Sequence, residues 1–357
     1  MSYDLNEICS KFNIDTRISN YGNGHINDTY LCEGSPKLIL QRINNKIFKN
    51  PFKVMENIYN VTTHLRKKID EAGGNPLRET ISVIPTKDGQ RFYQADEDNF
   101  FRMYTFVDDT VTYEIVENPM QLYHAGKAFG KFQKRLDDFP AEKLYEIIKD
   151  FHNTPDRVVQ LKTAIENNAA NRKNQVASEI EFALEFSKYA SAITDSIDSG
   201  LVPLRVTHND TKINNLLFDV VTNEAICVID LDTVMPGSAL YDYGDALRFG
   251  ASSGAEDEQD LDKIWFDMEK YEAFTKGFLE EVGECMTEKE KELLPLSALI
   301  LTYECGIRFL ADYLNGDVYF KIHRENHNLD RARTQFKLCK DIESKLPEMK
   351  KIVEKYI

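Results

Sequence analysis

The stretch Val206-Thr207-His208-Asn209-Asp210-Thr211-Lys212-Ile213-Asn214-Asn215, with the apolar run Ala225-Ile226-Cys227-Val228-Ile229 and Asp230 after it, constrains this chain more than any other feature. Asn215 stands five residues after Asp210, and Asp230 twenty after it. Between them, apolar runs at 215–219 and 224–230 flank a turn at 220–223, which predicts a hairpin. Such a hairpin folds back and returns Asp230 to the loop holding Asp210 and Asn215. Alone, an H-x-D-x-x-x-x-N string is an ordinary surface loop. The Ile-Asp strand end after a hairpin is what makes it a candidate site.

One carboxylate beside two further oxygen ligands suits phosphoryl transfer, where an enzyme chiefly positions groups and neutralises charge. Asp210 would orient an attacking hydroxyl and accept its proton. Asn215 and Asp230 would hold Mg2+ on the β- and γ-phosphates of ATP. Asp232 faces the same way as Asp230 if the strand's period of two persists. It would then touch a second magnesium, order the loop, or cap the following turn. Lys212 is either a γ-phosphate contact or an exposed lysine, and His208 is expected to pack beneath the loop.

Together with Val228-Ile229-Asp230-Leu231-Asp232-Thr233-Val234-Met235-Pro236-Gly237, the string resembles the aminoglycoside phosphotransferase and choline kinase superfamily. Within it the chain looks most like the N-acetylhexosamine 1-kinases, and the resemblance spans nearly the whole length. It implies that Asp210 is the catalytic base, that Asn215 and Asp230 bind magnesium, and that Asp242 braces the catalytic loop. It implies an acceptor too: the anomeric hydroxyl of N-acetylglucosamine or N-acetylgalactosamine, converted to the sugar 1-phosphate. The chain departs from the family pattern at Asn209, often Gly or Arg, and at Lys212, often His.

On the nucleotide side, Gly22-Asn23-Gly24-His25-Ile26-Asn27 gives G-x-G-x-x-N before a strand, so it is not a dinucleotide-binding turn. A glycine-rich hairpin over the ATP phosphates suits Gly22, Gly24 and Asn27, because amides approach phosphate closely only where side chains are absent. The front-lobe cation is expected to be Arg42, a bidentate phosphate clamp, with Lys37 as the other candidate and Glu56 as a possible partner. Tyr104-Thr105-Phe106-Val107 resembles the hinge whose backbone pairs with adenine, and reads equally as a buried strand.

The acceptor side is less constrained. Asp245 and Arg248, three apart, share a helical face as an ion pair or as the lining of a sugar pocket. The apolar run 298–314 carries Glu304, Arg308 and Asp312 at four-residue spacing. Unpaired charge in such a helix is costly, so the three form a ladder or meet a ligand. In the second case Arg308 binds sugar hydroxyls, while Tyr319 and Phe320 stack on the ring.

The fold class that follows is α+β: a two-lobed, protein-kinase-like chain with a β-rich nucleotide-binding lobe at 1–107. A helical lobe at 108–357 carries the catalytic loop and acceptor site, and the nucleotide cleft lies near 107. Helices are expected at 51–71, 119–136, 155–170, 175–199, 258–282, 288–314 and 327–355. Strand pieces are expected at 80–85 and 90–94 around a Lys87-Asp88-Gly89 hairpin turn, and at 100–107.

With 44 basic against 59 acidic residues the formal charge is −15, which disfavours nucleic acid and anionic membranes as partners. No membrane span and no obligate protein partner are expected, and the acidic, polar N-terminus points to the cytoplasm. Six cysteines without a C-x-x-C pair predict neither a disulfide framework nor a zinc site. Two alternatives stay open: another small alcohol acceptor, such as a choline-like amino alcohol or an aminoglycoside, and a catalytically silent nucleotide-binding scaffold. Intact Asp210, Asn215 and Asp230 argue against the second.

Overall fold

The structure is a computed structural model that describes residues 3–22 and 26–357. Gly24 lies outside the described residues. In chain order the strands are β1 (Ile18–Asn20), β2 (Asp28–Cys32), β3 (Leu38–Ile43), β4 (Val83–Ile84), β5 (Tyr93–Gln94), β6 (Phe100–Thr105), β7 (Thr110–Val111), β8 (Arg205–Thr207), β9 (Leu216–Asp219), β10 (Ala225–Val228) and β11 (Met235–Gly237). The helices are α1 (Leu5–Ser10), α2 (Pro51–Glu71), α3 (Pro76–Glu79), α4 (Pro119–Arg135), α5 (Thr154–Asn167), α6 (Ala177–Phe186), α7 (Ala192–Asp198), α8 (Ala239–Gly250), α9 (Met268–Val282), α10 (Glu288–Asn315) and α11 (His327–Tyr356). The chain is α+β, sheet-rich toward the N-terminus and helical toward the C-terminus. It divides into two compact units, Met1–Thr112 with Arg135–Lys149 and Asn215–Pro236, and Tyr113–Lys134 with Asp150–Asn214 and Gly237–Ile357.

The first unit is built on an antiparallel sheet of order β1-β2-β3-β6-β4, with β5 also on β6. Its core joins Ile8, Cys9 and Phe12 of the N-terminal segment to Cys32, Leu38, Leu40, Phe101 and Met103 of the sheet. Asn50 caps α2 by accepting from the Lys53 N–H at 3.1 Å, and Pro51 supplies the preset first helical φ. One α2 side chain explains how two later segments join this unit. Asn57 donates to the Tyr145 and Val234 carbonyls, both at 2.8 Å, and accepts from the Tyr145 N–H at 2.9 Å. The expected hairpin is present as β9 against β10, and β7 extends it through Thr110 opposite Asp219. The Lys87-Asp88-Gly89 turn closes, with the Thr86 N–H on the Gln90 carbonyl at 2.8 Å. Its two flanking strands, however, pair with β6 and not with each other, because β6 offers the longer partner edge.

The second unit surrounds α10, which packs against α5, α8 and α11. Thr287 and Glu290 form a reciprocal capping box at its start, and Gly316 ends it at φ 96°. By length and composition α10 would cross a membrane, against the sequence expectation that no such window exists. Its most apolar 18 residues have a mean hydropathy of 1.4, but 83% of that window is buried in protein, as in a core helix. Glycine lets helices approach closely here: a Cβ on Gly244 of α8 would lie 2.6 Å from the Ser297 carbonyl of α10. Two expected helices are shorter than their patterns. The 175–199 run breaks at Ser187–Tyr189, and the 258–282 run starts only at Met268, where Asp267 caps it.

Candidate active site

In the second unit the candidate catalytic loop leaves β8 at Thr207 and is tied to α8 through one carboxylate. Asp242 is almost fully buried and accepts from three donors: the His208 N–H at 2.9 Å, the Asn209 N–H at 2.8 Å and Gln133 Nε2 at 2.6 Å. The Thr211 hydroxyl adds a bond to the Asp242 carbonyl at 2.6 Å. Burial pushes the Asp242 carboxyl pKa up, and His208 and the three donors pull it back only in part. Asn209 sits at φ 65°, left-handed backbone that asparagine tolerates better than most residues, and its side chain donates to the Thr207 carbonyl at 3.1 Å. That conformation suits asparagine at this position. The His208 ring lies against Phe129 and Phe132, and its Nδ1 receives the Asp210 N–H at 3.2 Å.

Asp210 and Lys212 form an ion pair at 3.0 Å, both partly exposed. Desolvation pulls the Lys212 ammonium pKa down. The Asp210 and Asp245 carboxylates more than offset this, so it sits above its usual value. Asp245 and Arg248 are ion-paired at 2.9 Å, and Arg248 reaches Glu256 at 2.8 Å as well. Burial works against an ionised Asp245, but Arg248, Lys212 and His152 together hold its carboxyl below the usual range.

The expected ladder on α10 does not form. Glu304 instead has His152 Nδ1 at 2.9 Å and accepts the Thr154 hydroxyl at 2.7 Å. Asp312 accepts the N–H groups of Val318, Tyr319 and Phe320 at 2.8–3.0 Å and Asn328 Nδ2 at 2.9 Å, folding the turn after α10. Arg308 is left between the Phe151 and Phe320 rings, 5.8 and 5.5 Å from their centroids, with no ion pair or hydrogen bond among the described residues. Tyr319 is exposed and meets Phe320 edge-on at 4.8 Å.

In the first unit, Asn215 is buried and its carbonyl accepts the Ile229 N–H at 2.9 Å, directly before Asp230. Asp230 is exposed and left-handed at φ 58°. The strand has ended at Val228 and Leu231–Thr233 is a 3-10 turn, so the period of two does not carry through to Asp232. Asp232 is instead buried and committed to protein groups: Arg102 Nη1 on one oxygen and Asn27 Nδ2, at 2.6 Å, on the other. Of the three readings of Asp232, this geometry favours ordering the loop. Asn215 and Asp230 fit magnesium, which takes one or two protein oxygens and completes its shell with phosphate and water. Among the described residues no group of three or more His, Cys, Asp or Glu side chains gathers elsewhere to hold a metal.

Arg102 escaped the sequence reading. It is fully buried on β6, opposite Gln41 of β3, whose Oε1 accepts from Arg102 Nε and Nη2 at 3.0 and 2.9 Å. Desolvation opposes its charge, yet Asp232 and Tyr104 more than offset it, so its pKa rises. Arg42 is otherwise engaged: it lies directly opposite Asp28 across β2 and β3 and pairs with it at 2.6 Å. Glu56 pairs with Arg91 and not with Arg42, and Lys37 pairs with Asp108 at 2.7 Å.

The signal for Arg102 was an arginine inside the apolar run Phe100-Phe101-Arg102-Met103-Tyr104, which a buried strand tolerates only with a partner. Gly22 has φ 71°, and Tyr21 before it meets Phe106 of the expected hinge edge-on at 5.7 Å. Asn27 also accepts the Asn44 N–H at 3.0 Å. Tyr104 is buried and paired on both sides, and the Phe106 N–H is given to the Lys37 carbonyl at 3.3 Å.

A family model described as the phosphotransferase enzyme family matches residues 17–274. Among solved structures, the chain is similar to a microcompartment-associated aminopropanol kinase at 16% identity and TM-score 0.66, covering 96% of this chain and 97% of that one. It is similar also to an amicoumacin kinase in complex with AMP-PNP and Ca2+ (11%, TM-score 0.57, covering 96% and 94%). A choline kinase from Cryptosporidium parvum aligns at 15%, TM-score 0.53, covering 93% and 90%. These likenesses fit a two-lobed, kinase-like fold.

Proposed function

The chain belongs to the phosphotransferase enzyme family, and from that premise we propose that it is an ATP-dependent kinase acting on the anomeric hydroxyl of an N-acetylhexosamine. The acceptor oxygen attacks the γ-phosphorus, Asp210 takes the hydroxyl proton, and ADP leaves as the sugar 1-phosphate forms. Asn215 and Asp230 would hold magnesium, which, when bound, neutralises charge on the phosphates. Lys212 would offset the charge beside Asp210. The left-handed backbone at Asn209 and the Asp242 anchor fix where the base stands.

The acceptor reading is carried by Arg308. An arginine on the core helix with no ion pair among the described residues, beside two rings, suits the oxygens of a neutral polyol. The nearby carboxylates are spent: Asp245 and Glu256 on Arg248, Glu304 on His152 and Thr154. A second reading, an amino alcohol acceptor, draws on the similarity to aminopropanol and choline kinases. It needs uncommitted negative charge or an aromatic cage for the cation, and the uncommitted charge here is positive.

The test is product formation from ATP and magnesium across N-acetylhexosamines, plain hexoses, choline, aminopropanol and aminoglycosides. Turnover of N-acetylglucosamine or N-acetylgalactosamine, with sugar 1-phosphate identified by mass and phosphorus NMR, is expected. Turnover confined to the amino alcohols or aminoglycosides overturns the sugar reading.

A further inference from the structure

We propose that His152 is a specificity residue of the acceptor site, its Nε2 hydrogen-bonding a hydroxyl of the acceptor remote from the one phosphorylated. The inference rests on the acceptor reading above, since it takes the cluster around Asp245 and Arg308 as the acceptor site. His152 stands in the irregular segment before α5, in a turn opened by Asp150 at φ 54°. The residue is 9% exposed. Its ring lies against Phe151, at 4.6 Å between centroids, and Tyr241 of α8, at 5.0 Å.

One ring nitrogen is satisfied and the other is not. Nδ1 is 2.9 Å from a Glu304 oxygen, and the second Glu304 oxygen is occupied by Thr154. Nε2 is buried and has no hydrogen-bond partner among the described residues. A buried polar atom without a partner is costly, and sites that persist with one often meet a ligand. The anchoring is strong: burial opposes an ionised Glu304, yet His152 and Arg308 hold its carboxyl pKa below the usual range. The Glu304 carboxylate therefore fixes the ring through Nδ1 and leaves Nε2 as its one open valence.

The surroundings say what kind of group fits. His152 lies close enough to Asp245 to help hold that carboxylate ionised, and Asp245 does the same for Lys212, the partner of Asp210. A hydroxyl both donates and accepts, so it serves Nε2 whether the ring is neutral or protonated. An ammonium group serves only the neutral ring and faces Arg308 as well. Nε2 is shielded in this conformation, so a hydroxyl reaches it only with a local rearrangement of its surroundings. The group that arrives is then fully desolvated, and sites of that kind discriminate sharply against analogues lacking it.

The experiment uses the full chain with whichever acceptor the wild type phosphorylates, so the sugar reading stands or falls at that first step and His152 is tested independently. His152→Phe keeps the packing against Tyr241 and Phe151, and His152→Gln restores a polar atom near the Nε2 position. The expected result for His152→Phe is a ten- to hundredfold rise in acceptor KM with ATP KM unchanged, partly reversed in His152→Gln. Among monodeoxy acceptors, one should lose affinity in the wild type and be indifferent to His152→Phe. Folding is checked by circular dichroism and by unchanged ATP binding. If correctly folded His152→Phe keeps the wild-type acceptor KM, or loses affinity equally for every deoxy acceptor, the proposal is overturned and Nε2 is a structural atom bridged by water. If neither variant folds, the acceptor-induced change in hydrogen exchange at the 150–153 amides of the wild type decides: a change in their exchange supports the proposal and its absence refutes it.

Discussion

Removing the Asp242 carboxylate measures how firmly the catalytic loop is held. In Asp242→Ala three buried donors lose their acceptor: the His208 and Asn209 N–H groups and Gln133 Nε2. Hydrogen bonds to a charged group are worth ~1.5–3 kcal/mol each, which sums to a gross loss of roughly 5–9 kcal/mol. Relief of the burial that raises the Asp242 pKa offsets part of that, so the net cost is about 3–5 kcal/mol, the range for stripping one partner from a buried charged network. The second unit has roughly two hundred residues, for which ~2–4 °C of Tm accompanies each kcal/mol. A fall of about 10 °C is expected in thermal unfolding followed by circular dichroism. Asp242→Asn keeps the acceptor for the Asn209 N–H but turns an amide toward both the His208 N–H and Gln133 Nε2. Gln133 Nε2 retains the Val206 carbonyl and the His208 N–H loses its acceptor, so the change should cost about 1–3 kcal/mol, the penalty of a buried unsatisfied donor. Turnover should fall in both variants, because His208 and Asn209 carry the backbone on which Asp210 stands. An alanine variant as stable as wild type, or less harmful than the asparagine variant, would refute this reasoning.

Arg102→Met leaves the buried Asp232 carboxylate with Asn27 as its remaining hydrogen-bond donor among the described residues, so urea unfolding should show a loss of about 3–5 kcal/mol; a loss under 1 kcal/mol would mean that the pair is not buried as described. Gly277→Ala, which on an exposed helix would stabilise by up to about 1 kcal/mol, should lower Tm here, because the new Cβ would run into the Tyr123 carbonyl of α4. A raised Tm would mean that α4 and α9 can separate cheaply. Asp245 has a folded pKa depressed below its unfolded value of 3.8, so its contribution to stability is complete above that pH and is lost as pH falls through the lower folded value. Asp245→Asn should therefore destabilise most near neutral pH and approach wild type only as pH falls below 3.8; a gap independent of pH would show that its carboxylate is not held ionised.

Much of the catalytic loop was legible because its chemistry depends on spacing along the chain. The hairpin of β9 and β10 follows from two apolar runs and a turn, and the left-handed Asn209 and Asp230 sit where short polar side chains tolerate that backbone. Features set by pairing between distant segments were not. Arg102 becomes intelligible only once β6 is registered against β3 and Asp232 is seen to be buried. On α10 the spacing of Glu304, Arg308 and Asp312 is right for a ladder, yet Glu304 and Asp312 found partners elsewhere, a histidine from before α5 and a turn's N–H groups, and Arg308 was left beside two aromatic rings. The sequence offered no way to weigh those competitors. The same holds for Asn57, which recruits two remote backbone segments with one amide.

The central claim is that Asp210 is the base of a phosphoryl transfer from ATP. Asp210→Asn keeps the shape of the side chain, including an oxygen that Lys212 can approach, and removes the capacity to take a proton. Its turnover should fall by about a thousandfold or more, while the affinity for ATP with magnesium, measured by calorimetry, stays within a few-fold of wild type. Turnover within tenfold of wild type would contradict the account.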